Sequence, residues 1–317
     1  MSTHVPGELF ALLAAFTWAF AMVLFKYSGE RVAPLALNLF KNSVAIVLLV
    51  VTLLVAPHFR ALFGGESLDY VLGSPTVDIL ILVASGVIGI ALADTLFFYS
   101  LNVVGVGIVS IVDCLYSPFV ILCSWLMLFE QITVAHFLGG GLILAAVIVS
   151  SGHAPPPHTT RGQLVGGVIL GALAMGSMAF GIALATPVLK AGFPLIWAAT
   201  IRIAAGTVAL APLALASPAR KKLWSVFRPS VPWKTAVPGA LVGTYLAYVF
   251  WIAGYKYADA SINAILNQTT VIFAIILATV IVKERMTKRK ALAVALAVVG
   301  VLVVLHEHFI KLLQTTN

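Results

Sequence analysis

The chain is short of charge. Only 9% of its 317 residues are Asp, Glu, Lys or Arg, while 61% are hydrophobic, and the mean hydropathy is +1.08. A soluble domain carries roughly 25% charged residues, so an ordinary solvated surface is excluded and the surroundings are read as lipid. Cysteine is scarce as well. Cys114 and Cys123 are the two present. Nine residues apart on one helix, they are separated by about 13 Å, too far for a disulfide. Neither a disulfide framework nor a zinc site is expected. No Gly-x-x-x-x-Gly-Lys-Ser/Thr loop occurs, which argues against ATP hydrolysis by this chain. His306-Glu307-His308 lacks the spacing of a helical zinc-protease motif and reads as a solvated tail. No cofactor is expected. The formal charge of +8 is not a nucleic-acid footprint, because the basic residues collect in loops, as membrane topology requires.

What the chain has in abundance is long apolar runs. Ten of them are long enough to span about 30 Å of hydrocarbon, near residues 8–28, 34–56, 77–101, 104–128, 133–151, 162–186, 193–216, 234–256, 260–282 and 288–306. The first ends in Phe25-Lys26-Tyr27 rather than a cleavage site and is read as retained. The very short links Asn102-Val103 and Tyr257-Ala258-Asp259 predict antiparallel neighbours. Pro155-Pro156-Pro157 marks a stiff linker. The basic and apolar stretch from Ala219 to Arg228 predicts a short interfacial helix.

The runs repeat. Shifted by 154, Asp94 falls on Tyr248, Asp113 on Asn267, Tyr116 on Thr270, Glu130 on Glu284 and Thr133 on Thr287. With a shift of 161, Lys41 meets Arg202 in the second helix of each half. The expected organisation is a first five-helix repeat at 1–151, a linker at 152–161, a second repeat at 162–306 and a tail at 307–317. Five is odd, so the second half enters the membrane inverted, a transporter signature that places a substrate site near the midplane between halves. The fold class expected is an all-α polytopic membrane protein of ten transmembrane helices in two inverted repeats. Thirteen Lys and Arg lie in loops opposite the termini and four on the terminal side, so Lys221 and Lys288 are expected to face the cytoplasm.

Charges deep in a membrane are costly and usually face the bundle interior. Lys41, Asp94, Asp113 and Arg202 qualify. Lys41 and Arg202 read either as members of architectural ion pairs or as anchors for an anionic or zwitterionic substrate group. Asp94 and Asp113 are candidate counter-ions or proton carriers. In the fourth helices, Ser110, Asp113 and Ser117, and Asn263, Asn267 and Thr270, each share one helical face. These stripes are read as facing walls of a central cavity, with Asp113 opposite Asn267 and Lys41 or Arg202 as partner of the carboxylate, or else as interhelical hydrogen bonding. Tyr116, Tyr248 and Trp251 are candidate pocket linings. Gly167-x-x-x-Gly171 and Gly239-x-x-x-Gly243 predict close helix contact. Glu130 and Glu284 end helices where water reaches them, and Thr133 and Thr287 are placed to cap the next helix of each half.

With these residues in view, the chain resembles the drug/metabolite transporter superfamily. Glu284-Arg285-Met286-Thr287, Gly300, and Gly254-Tyr255-Lys256-Tyr257-Ala258 resemble the EamA-type repeat in particular. Gln131 departs from the usual basic residue of that turn, and Lys41 stands where arginine is more usual. The resemblance implies a secondary transporter, typically an exporter of amino acids or related metabolites in the plasma (inner) membrane. Helices three, four, eight and nine would line its cavity, with one and six gating it. Its partners would be a small-molecule substrate and the lipid bilayer, not nucleic acid, with a homodimer as a further option. The competing readings are a nucleotide-sugar or phosphorylated-metabolite exchanger, a lipid-modifying membrane enzyme and a non-transporting scaffold. The exchanger would need more cations than Lys41 and Arg202.

Overall fold

The computed structural model describes residues 6–29, 34–55, 68–150, 160–216, 223–229, 232–281 and 286–315. The Pro-rich linker at 152–159, residues 56–67, the basic stretch at 217–222, and Glu284 and Arg285 lie outside the described residues.

The first half contains α1 (Gly7–Gly29), α2 (Pro34–Val55), a short α3 (Leu68–Gly73), α4 (Thr76–Gly86), a π-helical stretch at Val87–Leu92, α5 (Ala93–Asp113), α6 (Tyr116–Met127) and α7 (Val134–Ser150). The second contains α8 (Arg161–Lys190), α9 (Leu195–Ala216), α10 (Trp233–Gly239), a π-helical stretch at Ala240–Ala247, α11 (Tyr248–Tyr257), α12 (Ala260–Asn267), α13 (Thr270–Val280) and α14 (Lys288–Thr315). No strand occurs among the described residues. Eight helices are long and apolar enough to cross a membrane, and Tyr116–Met127 and Val134–Val149 are shorter apolar helices. Together they make the ten-helix, two-repeat membrane architecture. Large apolar side chains such as Leu54, Phe137, Val208 and Val280 are left strongly exposed, the surface a lipid environment requires.

The halves interlock by exchange. α1 packs against α10–α13 of the second half, and its counterpart α8 packs against α4–α6 of the first. α2 lies on α9, and α7 on α14. Small residues allow this approach. A Cβ on Gly181 would stand 2.7 Å from the Gly89 Cα, and one on Gly139 would stand 2.7 Å from the Gly300 carbonyl oxygen. The expected close contacts at Gly167, Gly171, Gly239 and Gly243 are present, the last two against Phe25 of α1.

Three local expectations can be set against the structure. At Asn102-Val103 no non-helical residue marks the link, for α5 is helical from Ala93 to Asp113, yet the third span ends at Val104. Ser100 and Val112 nevertheless both press on Gly171. A straight helix would hold them about 18 Å apart, so the chain doubles back between them and the third and fourth crossings are antiparallel as expected. The expected interfacial helix is helical in its described part, through residues 223 and 224 and the 3-10 turn at Ser225–Phe227. Leu223 and Val226 bury there, and Phe227 and Trp233 close on Phe40 with ring centroids 5.7 and 5.1 Å away. The apolar side of this stretch packs on α2. The third expectation, at Glu130, is corrected and belongs to the site.

Candidate functional site

Both third crossings carry the same backbone irregularity. The π-helical stretches at Val87–Leu92 and Ala240–Ala247 occupy corresponding positions of the two repeats. A π segment widens one turn and re-aims the side chains beyond it, and such segments gather at functional sites. Asp94 stands in the first turn of α5, just past the first stretch, and Tyr248 begins α11 directly after the second. Close glycine packing presses the first stretch between α8 and α9, with Gly89 against Gly181 and Ile90 against Gly206.

Each re-aimed side chain meets the cation of its own half. Asn38 on α2 donates Nδ2–H to Asp94 Oδ2 at 2.7 Å. Lys41, one helical turn on, interacts electrostatically with Asp94 and donates Nζ–H to Asn42 Oδ1 at 3.1 Å. In the second half, Arg202 donates Nε–H to the Tyr248 hydroxyl at 3.1 Å. Its Nη1 donates to Ser85 Oγ at 2.5 Å and to the Gly181 carbonyl at 3.4 Å, and its guanidinium lies 5.8 Å from the Trp251 ring centroid. Arg202 is only 1% exposed and is the largest fully buried side chain among the described residues. Through Ser85 of the first half, Arg202 and its partner Tyr248 reach across the interface between the halves.

An aromatic wall extends from Arg202. Tyr248 and Trp251 have ring centroids 5.5 Å apart, and Trp251 meets Tyr255 edge-on at 5.0 Å. Tyr255, fully buried, shares a 2.5 Å hydroxyl–hydroxyl hydrogen bond with Tyr116. Asn263 is fully buried with its side-chain amide pressed against Gly254.

The fourth crossings are broken, and at the same place. α5 ends at Asp113 and α6 starts at Tyr116, while α12 ends at Asn267 and α13 starts at Thr270. Broken helices whose half-helix ends sit at depth are how many carriers expose backbone dipoles to cargo. The Thr269 and Thr270 hydroxyls donate to the Leu266 and Asn267 carbonyls at 2.6 and 2.7 Å, satisfying two of the interrupted groups. Gln268 links the breaks, donating Nε2–H to the Asp113 carbonyl at 3.4 Å.

This geometry corrects one expectation and qualifies another. Asp113 is exposed and is not paired with Lys41 or Arg202, because Asn42, Asp94, Ser85, Gly181 and Tyr248 already occupy those cations. Asn267 turns back to its own helix, donating to the Asn263 carbonyl at 2.9 Å. The two residues meet through backbone and Gln268 at the breaks rather than by facing side chains. Ser117 is buried, and the Ser110 side chain lies outside the described residues. Asn38 and Gln268 were not singled out by sequence, Ser85 entered only through the repeat and Tyr255 only through the junction that resembles the family.

At the end of the molecule that carries the N-terminus, the halves are tied together. Glu130 comes after a helix end in which Phe129 takes a left-handed backbone, φ 55°, and Glu130 N–H donates to the Ser124 carbonyl at 3.1 Å. Its carboxylate crosses to the second half. Oε1 accepts from Ala260 N–H at 2.7 Å, and Oε2 accepts from Ser261 N–H at 3.0 Å and from Ser261 Oγ–H at 2.8 Å. Glu130 thus caps the N-terminus of α12, where a negative charge is favoured. It is not the water-exposed carboxylate expected from sequence, its side chain being 8% exposed. Lys190 pairs with Glu130 at 3.5 Å and with Asp259 at 3.7 Å, and Lys256 Nζ donates to the Phe193 carbonyl at 2.8 Å. Thr287 caps α14 as expected, accepting from Lys290 N–H at 3.3 Å. Thr133 instead shares a 2.8 Å hydrogen bond with the His136 ring, whose Nδ1 also accepts from Thr133 N–H at 3.2 Å.

Comparison with known proteins agrees with this architecture. No curated protein matches the chain. A solved structure described as "Crystal structure of protein" superposes with a TM-score of 0.73 at 18% identity, covering 94% of this chain and 95% of that one. That likeness speaks for the fold alone. The profile of the EamA-like transporter family matches residues 5–152 and again 165–306. With both halves matched, the chain belongs to the EamA-like transporter family, as a multi-pass integral membrane protein.

Proposed function

We propose that the protein is a secondary exporter of small organic metabolites such as amino acids and related solutes, working by alternating access in the plasma (inner) membrane. The observation that carries this is the meeting of two symmetry-related cations, Lys41 and Arg202, with Asp94 and Tyr248 at the interface between interlocked halves. A carrier needs a polar site that either half can uncover by moving against the other. The seal made by Glu130, Lys190 and Asp259 closes one end of that path, in keeping with a state shut on the N-terminal side. Lys41, Asp94, Arg202, Tyr248 and Trp251 are the residues we assign to the solute pathway. Asp113, Tyr116, Asn263, Asn267 and Thr270 form the broken-helix region that changes shape as the path opens.

A nucleotide-sugar or phosphorylated-metabolite exchanger is less well supported, because Asp94 already offsets Lys41 and leaves one cation for two or more phosphate charges. The test is uptake by proteoliposomes of a labelled panel of amino acids, organic acids and nucleotide sugars, with and without a pH gradient. Accumulation of metabolites of the first two groups supports the reading. Exchange confined to nucleotide sugars or sugar phosphates would overturn it.

A further inference from the structure

The two halves treat their buried cations differently, and the difference points to cargo. Asn38, one helical turn from Lys41, holds Asp94 on the side of the first cation by a 2.7 Å hydrogen bond. The position of Asp94 in the second half holds Tyr248, a neutral phenol, so Arg202 receives hydrogen-bond acceptors but no carboxylate. The sequence limits where a counter-charge could come from. Of its 11 acidic residues, only Asp94 and Asp113 lie deep within the apolar spans, and Asp94 serves Lys41 while Asp113 is exposed at the break. Neither carboxylate pairs with Arg202, a fully buried cation in a region where an uncompensated ion is expensive.

The groups around Arg202 suit a particular ligand. Tyr248 accepts from Arg202 Nε–H, which leaves its own O–H as a donor strengthened by the cation behind it. Tyr248 and Trp251 are half-buried, whereas Arg202 and Tyr255 are fully buried. A solute that reaches this wall as the halves part would meet a phenol donor and an indole face backed by a guanidinium. Flat apolar groups stack on such a wall.

We propose that this site takes a solute with one carboxylate and a flat apolar body, the carboxylate standing in for the acid that the second repeat lacks. The inference rests on the carrier reading above and narrows its substrate class. It predicts that the carboxylate, rather than an amino group, is the recognised feature.

The test uses the purified full chain, with binding read by thermal stabilisation in detergent and transport read in proteoliposomes. Four probes share one body: phenylpropionate, phenylalanine, phenylalaninamide and phenethylamine. The first two should bind and move, and the last two, lacking a carboxylate, should bind at least about tenfold more weakly. Tyr248→Asp gives Arg202 its own acid at the position where the first repeat has one. It should keep or raise the melting temperature and weaken phenylpropionate binding about a hundredfold. Tyr248→Phe, which keeps the ring but removes both the outgoing donor and the acceptor of Arg202 Nε–H, should weaken it about tenfold and lower the melting temperature. The proposal is overturned if the amide or amine binds as well as phenylpropionate, or if Tyr248→Asp retains wild-type affinity. Should Tyr248→Asp not fold, unchanged affinity in Tyr248→Phe overturns it alone. Transport of neutral or cationic solutes without carboxylates defeats this assignment and leaves the carrier reading standing. Absence of transport for any solute of the broad panel defeats both.

Discussion

Glu130 offers the most direct handle on how the halves move. Its carboxylate is the acceptor for the first two backbone N–H groups of α12 and for the Ser261 hydroxyl. In Glu130→Ala those donors lose their partner at a site where the glutamate side chain is only 8% exposed. A lost N-cap costs about 1 kcal/mol, and a buried donor left unsatisfied costs about 1–3 kcal/mol, so about 2–4 kcal/mol is expected in all. The cap joins a turn of the first repeat to a helix of the second, 130 residues away. A contact of that kind breaks when the two repeats separate at this end. The energy then belongs to the closed state, and its loss shifts the ratio of open to closed by about 30- to 700-fold. The assay is thiol labelling of Ala264→Cys, one turn inside the cap and fully buried, with Cys114 and Cys123 replaced by alanine. Labelling from the N-terminal side should be slow with Glu130 present and at least tenfold faster in Glu130→Ala, with Glu130→Gln between them. If Glu130→Ala lowers the melting temperature but leaves labelling unchanged, the cap persists in both states and the reasoning is wrong.

Other consequences are smaller and independent. Gly181→Ala should destabilise by about 1–3 kcal/mol, because its methyl group would meet the Gly89 backbone at 2.7 Å and the Ser85 carbonyl at 3.0 Å. A thermal melt showing no loss would contradict the close approach of α8 to the π stretch. Phe129→Gly should stabilise by about 1 kcal/mol, since Phe129 holds φ 55° at a position glycine adopts freely. An unchanged or lower melting temperature would mean that contact of this exposed ring with the bilayer outweighs the backbone gain. Thr287→Ala should cost about 1 kcal/mol or less, the cap being exposed, and native-state hydrogen exchange should report it as fraying confined to the first turn of α14.

The sequence by itself settled the solvent, the helical class, the two repeats and the family. Those depend on apolar content over runs of about 20 residues and on spacing, which are properties of local chain. It also picked out Lys41 and Arg202 as a related pair, because a charge within a membrane span has few harmless places to be. The Thr287 cap was legible for a similar reason, its partner lying three residues away. Partners were not legible. That Asp94 serves Lys41 while Tyr248 serves Arg202, and that Asp113 serves neither, depends on how helices cross and on π stretches that rotate side chains after Leu92 and Ala247. The first stretch lies where Gly89 and Gly181 bring backbones together and the second where Gly243 meets Ala21 and Phe25, contacts between helices far apart in the chain. Glu130 makes the same point, since helix ends alone suggested a carboxylate facing water beside its own helix. Only the fold shows it capping α12 across the interface, because an N-terminus with unsatisfied N–H groups competes for that carboxylate once the halves are interlocked.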